Sequence, residues 1–151
     1  MDRIASVAKN KKVSRAYEIL DKLEAGIVLQ GTEIKSIREG NVSFRDSFID
    51  IINCEMWLVG FYIAPYNAGS IWNHASDRRR KLLLNKREIR KWDAKVREKG
   101  FTVVPIELYL KNGRAKMMIG LARGKTSFDR KDDLKEREIR KDNERFTEKY
   151  R

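Results

Sequence analysis

The sequence predicts a mainly β fold, a small antiparallel barrel with accessory helices and a basic C-terminal tail. Three observations point to it. Runs of β-branched and aromatic residues recur along the chain and are joined by hairpin-type turns rather than repeated strand–helix–strand units. The Asn112-Gly113 pair between two such runs tolerates the positive φ angles of a tight type I′ turn. Only two stretches read as short or medium helices, so helices accompany the sheet rather than build the core.

Residues 1–12, with Lys9, Lys11 and Lys12 and few apolar anchors, are expected to form a basic arm. Over residues 17–29 the apolar side chains Tyr17, Ile19, Leu23, Ala25, Ile27 and Leu29 fall on odd positions, with Asp21 the exception. Glu18, Leu20, Lys22 and Glu24 also suit a helix. The alternation favours a long strand, with a bulge expected near Gly26. Gly31-Thr32 opens a short helix to about Arg38, with Thr32 as its expected cap and Glu33 in its first turn, and Gly40-Asn41 ends it.

Residues 47–53 and 56–63 predict a hairpin, and residues 66–77 a loop. Leu82-Leu83-Leu84 follows as a short buried piece. Asn85 and Glu88 have capping-box spacing, and Ile89, Trp92 and Val96 give the helix they open one apolar face before Gly100 stops it. Residues 101–110 and 115–122 flank Asn112-Gly113 as the clearest hairpin, with Pro105 marking an edge or a bulge. From Asp129 onward both signs of charge dominate, and Leu134, Ile139, Phe146 and Tyr150 are too sparse to bury a face. This segment is expected to fold only when bound. The division is thus an arm at 1–12, a barrel at 13–128 and a charged tail at 129–151. About five strands and two helices in hairpin order favour a closed barrel of the oligonucleotide-binding type.

The 151 residues fit one domain with a modest core. A formal charge of +12, from 34 Lys and Arg against 22 Asp and Glu, opposes folding and calls for a polyanionic partner. Nucleic acid is the first expectation. Membrane is the rival, but no stretch is long and apolar enough to span and no basic amphipathic helix stands out. With Cys54 alone no intrachain disulfide forms, and no secretory signal follows Met1, so a reducing cytoplasm is expected. His74 is the single histidine and lacks a nucleophile context, which suits a hydrogen-bonding or RNA-contacting loop residue better than a catalytic base. No Gly-rich phosphate loop or zinc-ligand spacing is present. A binding protein with no cofactor or metal is expected, not an enzyme.

Arg78-Arg79-Arg80-Lys81, continued by Lys86, Arg87, Arg90 and Lys91, suits phosphate contacts that release condensed counterions. A solvated charged face is the alternative. Arg114, Lys116, Arg123, Lys125, Arg130 and Lys131 form a second cluster, with a flexible, soluble strand exit as its alternative. Tyr62, Tyr66, Trp72, Trp92 and Tyr109 interleave with these charges, as core residues or as stacking platforms worth about 1–3 kcal/mol per base. Trp72, in a polar loop, is the best platform candidate.

Four ordered segments carry a resemblance: Asn10-Lys11-Lys12 with residues 24–36, Arg80 to Ile89, Lys111 to Lys116, and Leu134 to Glu138. Together they resemble the SsrA-binding protein family, across nearly the whole chain. The resemblance implies an oligonucleotide-binding-type barrel that grips the tRNA-like domain of transfer-messenger RNA near its D-loop elbow. Protein and RNA would together imitate a tRNA. With elongation factor Tu they would enter the A site of a stalled ribosome, the tail lying against small-subunit rRNA in the decoding centre and mRNA channel. A cytoplasmic monomer is expected.

On this pattern Glu33, Leu83 and Asn85 match positions that meet the RNA. Lys11, Lys12, Lys35, Arg80, Lys81, Lys86, Arg87, Arg114, Lys116 and Lys125 are expected to support them. Gly124, Arg130, Lys131, Lys135, Arg137, Arg140 and Lys141 are expected to meet the ribosome. Without the resemblance, Glu33 reads as a helix-dipole residue and Leu83 as core. The chain departs from the family pattern at Gly124-Lys125-Thr126, Asp129-Arg130-Lys131 and Ser14-Arg15-Ala16. Those changes bear on ribosome engagement more than on RNA binding. A general structured-RNA-binding protein is the second reading and a nuclease the third.

Overall fold

The computed structural model describes residues 2–66 and 73–124. In chain order its elements are β1 (Ile4–Lys9), α1 (Lys11–Ala16), β2 (Tyr17–Ile27), α2 (Gly31–Arg38), β3 (Val42–Ser43) and β4 (Phe48–Ile52). Then come β5 (Glu55–Val59), β6 (Tyr62–Ile63), β7 (Arg80–Leu83), α3 (Lys86–Lys99), β8 (Thr102–Lys111) and β9 (Arg114–Gly124).

The large sheet runs β1-β8-β4-β5-β7-β2-β9, and β9 returns to pair with β8. β8, β4, β5, β7, β2 and β9 therefore close a ring, antiparallel at every step. Closure leaves these strands without a long free edge, which is what keeps a small all-antiparallel protein from pairing with its neighbours. Inward side chains fill the ring: Met56, Leu58, Leu82, Leu108, Met117 and Ile119 are each at most 1% exposed. α3 adds Ile89 and Trp92 to the same core, and α1 seals a smaller cluster of Val13 with Val104 and Ala122.

The expected basic arm is corrected. Ile4–Lys9 is a strand on β8, from Ile4 opposite Lys111 to Lys9 opposite Glu107, and Lys11–Ala16 is helical. Its side chains are small or exposed, so the sequence carries no apolar alternation to announce it. The long strand forms as β2, but its bulge lies between Ile19 and Asp21 instead of at Gly26. Across the bulge the odd positions change face, Tyr17 and Ile19 packing with Val13 while Leu23 and Ala25 enter the main core, and Asp21 lies at the crossover. At Gly26 a Cβ would lie 3.4 Å from Leu83 Cβ, so the missing side chain leaves the outer face of Leu83 uncovered on that side.

Gln30, rather than Thr32, caps α2, in a reciprocal capping box with Glu33. The second hairpin run is divided by Gly60, at φ +82°, into β5 and β6, and Asn53 and Cys54 hold the positive φ angles of the β4–β5 turn. α3 ends at Gly100 in the left-handed conformation. Asn85 is its N-cap residue, yet the Asn85 side chain makes no capping hydrogen bond. Asn112 and Gly113 form the tight β8–β9 turn, with φ of +52° and +82°, and the β8 register shifts just after Pro105. The expectations for Trp72, Lys125 and the tail at 129–151 lie outside the described residues.

Candidate RNA-binding interface

β7 builds the site by simple alternation. Arg80 and Leu82 point inward, while Lys81 and Leu83 face out. Leu83 is opposite Gly26 of β2, and Gly26 is opposite Lys116 of β9, so all three share the outer face of one row across the sheet. With strands about 4.8 Å apart, Lys116 stands within roughly 10 Å of Leu83. Because Gly26 has no side chain, Leu83 is left 53% exposed, with Val28 beside it at 44%. The chain then turns through exposed Asn85 into α3, which opens on exposed Lys86 and Arg87. An apolar step, an amide with free donor and acceptor, and flanking cations thus meet at one corner of the barrel.

This corner corrects the expectation that Leu83 is buried. Val28 was not anticipated; its sign in the sequence is its place two residues beyond Gly26, on the outward parity of β2.

Beneath the corner lies a buried polar network. Glu33, fully buried at the start of α2, accepts from Arg78 at 2.6 Å and the Gln30 N–H at 2.8 Å on Oε1. Its Oε2 accepts from Arg80 Nε at 2.7 Å. The Arg80 guanidinium, also fully buried, donates on to the carbonyls of Phe61 at 2.6 Å and Ser76 at 3.1 Å. Burial pushes the Glu33 carboxyl up, but hydrogen bonds from Arg78, the Gln30 N–H and Arg80, with the Arg80 charge, hold it below its ordinary value. Burial draws the Arg80 guanidinium below its ordinary value, against the pull of Glu33.

His74 is buried alongside, Nε2 lying 2.9 Å from the Ile63 carbonyl and Nδ1 2.8 Å from the Thr32 hydroxyl. The carbonyl can only accept, so Nε2 carries the proton there and Thr32 donates to Nδ1. His74 is therefore the hydrogen-bonding loop residue expected of it, turned inward.

Glu33 and Arg80, both expected to meet RNA, are fully buried in the free chain. They tie α2, β6, the 73–77 segment and β7 together. Arg78, only partly exposed, links the network to the surface by donating to Glu33 and to the Val28 carbonyl at 3.3 Å. It read as one more phosphate-binding cation in the sequence.

The other expected residues spread around this corner. Lys81 pairs with Glu55 at 3.0 Å, and Lys35 stands 5.4 Å from the centre of the Tyr66 ring. Arg114 is exposed at the β8–β9 hairpin. Trp92 and Tyr109 are buried, so neither is a stacking platform; Tyr109 hydrogen-bonds Glu24. That bond, aided by Lys111, outweighs burial and holds Glu24 below its ordinary value, while burial and Glu24 push Tyr109 up.

Lys11 and Lys12 are not brought to the corner. They sit at the far end of β2, up to about 30 Å of strand away, where Lys12 pairs with Asp46 at 2.9 Å. Gly124, opposite Tyr17, is at that same far end. Among the described residues, no three His, Cys, Asp or Glu side chains are grouped to hold a metal ion.

The comparisons with known proteins agree with one another. The family model described as SmpB protein matches residues 7–149. The SsrA-binding protein of Aquifex aeolicus is 51% identical over 145 residues, covering 95% of this chain and 92% of the relative. That of Streptococcus mutans is 49% identical over 144 residues, covering 95% and 93%. A chain in the solved structure described as "tmRNA-SmpB: a journey to the center of the bacterial ribosome" superposes with a TM-score of 0.68 at 45% identity, covering 91% of this chain and 94% of that one. A closed antiparallel barrel with a cation-flanked outer corner, matched in sequence from residue 7 to residue 149, belongs to the SmpB protein family.

Proposed function

We propose that the chain is an RNA-binding translation factor that holds the tRNA-like domain of transfer-messenger RNA and brings it to stalled ribosomes for trans-translation. Its relatives are named for binding SsrA, and the similar solved chain belongs to a tmRNA–SmpB assembly with the bacterial ribosome. The observation that carries the reading is the exposed Leu83–Asn85 corner. A leucine displayed on the outside of the barrel, beside an amide and cations that have no partner among the described residues, suits a base turned out of a stack. Leu83 and Val28 pack on the base face, Asn85 reads an edge, and Lys86, Arg87, Lys116 and Arg114 meet phosphates. Glu33 and Arg80 hold β7 and α2 in register behind them.

The protein acts by binding and mimicry, with peptide transfer left to the ribosome. The tail beyond Gly124 leaves the end of the barrel opposite this corner and lies in the decoding centre. Gly124, Arg130, Lys131, Lys135, Arg137, Arg140 and Lys141 contact the ribosome there, while Lys125 serves the transfer-messenger RNA. Elongation factor Tu joins the same complex. A cytoplasmic monomer is part of this reading. Among the described residues no helix is long and apolar enough to cross a membrane.

The test is binding to the isolated tRNA-like domain at moderate salt with excess bulk tRNA as competitor. Tight binding that survives the competitor is expected. Binding lost to the competitor would reduce the protein to a general structured-RNA binder.

A further inference from the structure

α3 carries an excess of cations only part of which suits the helix, since Glu88 in its first turn and Arg97 and Lys99 in its last match the macrodipole. It holds seven basic and three acidic residues, and Lys86 and Arg87 occupy its first turn, where the macrodipole disfavours cations. Arg87, Lys91 and Lys95 follow at intervals of four, so they stand in one row along the helix, about 6 Å apart along its axis. Like charges at that spacing destabilise an isolated helix. Arg90 flanks the row.

Neighbouring carboxylates do not relieve this. Elsewhere on the described surface Lys12, Arg79, Lys81, Lys111 and Arg123 each have an acidic partner. On α3, among the described residues, only Arg97 does, bridging to Asp93 at 3.1 Å. Among the described residues, no carboxylate lies within ion-pair distance of Arg87, Arg90, Lys91 or Lys95. Ile89 and Trp92 are buried, Arg87, Arg90 and Lys91 are exposed on the side away from them, and half-buried Lys95 lies at the edge of that face.

We propose that the outer face of α3 is a second, sequence-independent RNA contact, in which Arg87, Arg90, Lys91 and Lys95 follow the sugar-phosphate backbone of structured RNA away from the Leu83–Asn85 corner. The inference rests on the RNA-binding reading above. A file of cations without carboxylate partners among the described residues matches a file of phosphates and gains from counterion release. The only apolar residue among them is Ala94, so the face lacks the aromatic anchors of a protein interface and the apolar stripe of a membrane-seeking helix. The row also begins at the helix whose N-cap is Asn85, so one rigid element sets the phosphate contacts in fixed relation to the base contact.

The experiment compares full-length protein with the triple variant Arg90→Gln, Lys91→Gln, Lys95→Gln, measuring Kd across a salt series for the tRNA-like domain and for bulk tRNA. Loss of roughly one unit of log–log salt slope per contact is expected, so about two to three in all. Affinity at moderate salt falls on the order of tenfold or more for both RNAs alike, leaving their ratio unchanged. Arg97→Gln, which removes an already paired cation from the same helix, leaves the slope as it was.

An unchanged slope in the triple variant overturns the proposal, as does a loss confined to the tRNA-like domain. In low salt the triple variant melts no earlier than the parent, because like charges have been removed. Earlier melting would assign these cations to the fold and overturn the proposal as well. If the parent itself does not prefer the tRNA-like domain over bulk tRNA, the rescue-factor reading fails while the slope comparison still decides the role of α3.

Discussion

Glu33 accepts hydrogen bonds from two arginines and a backbone amide while fully shielded from water, and its removal strands the fully buried Arg80. Glu33→Ala is expected to destabilise the fold by about 3–5 kcal/mol, the cost of an uncompensated buried charge, as a shift in denaturation midpoint. The same geometry fixes a pH dependence. Because the folded carboxyl titrates below its ordinary value of 4.5, the folded state binds fewer protons than the unfolded one. Its contribution is complete above that value and is lost as the pH falls through the folded pKa, so stability measured from pH 7 downward holds until the carboxylate range and then declines. Asn85 makes the opposite kind of contribution: its exposed side chain caps nothing in the free protein. Asn85→Ala is expected to weaken binding of the tRNA-like domain by about 1–3 kcal/mol with little change in thermal stability. An unchanged Kd would remove Asn85 from the interface.

At the level of elements, Gly60 shows how one residue sets a boundary. Its φ of +82° separates β5 from β6, and Ser47 Cα lies 3.4 Å from where a Cβ would be. Gly60→Ala is expected to cost about 1–2 kcal/mol from left-handed strain, read as a lower denaturation midpoint at unchanged m-value. Elements were legible in the sequence where local chemistry decides them. Asn112-Gly113 marked its hairpin, Gly100 stopped α3, and Pro105 marked the stretch in which β8 changes register. β1, β3 and β6 were not legible, because β3 and β6 are two residues long and β1 has few large apolar side chains. The site divides the same way. Leu83 and Asn85 were assigned to the proposed site through the family pattern, not through spacing. Arg80 was hidden in a run of cations, and only its shared parity with Leu82 could have marked it as the one that turns inward. Burial of Glu33 depends on partners 45 and 47 positions away, which no local pattern reveals.

Across the whole molecule, the proposed base-reading corner and the exit of the tail occupy opposite ends of β2. That separation predicts independent functions. Deleting residues 132–151 is expected to leave affinity for the tRNA-like domain nearly intact while abolishing peptide tagging on stalled ribosomes in a reconstituted translation assay. A large loss of RNA affinity would show that the tail serves the RNA instead. The ring closes through β2 and β9, which join Tyr17 to Gly124, and β1 adds Ile4 against Lys111. These pairings are among the most distant in the sequence, so the barrel is a slow, high-contact-order fold. During its own synthesis β2 has no partner on that side until residues 114–124 have been made. A copy cut short by a broken message before that point leaves the β2 edge of its sheet open, the kind of exposed strand edge that invites pairing with other chains.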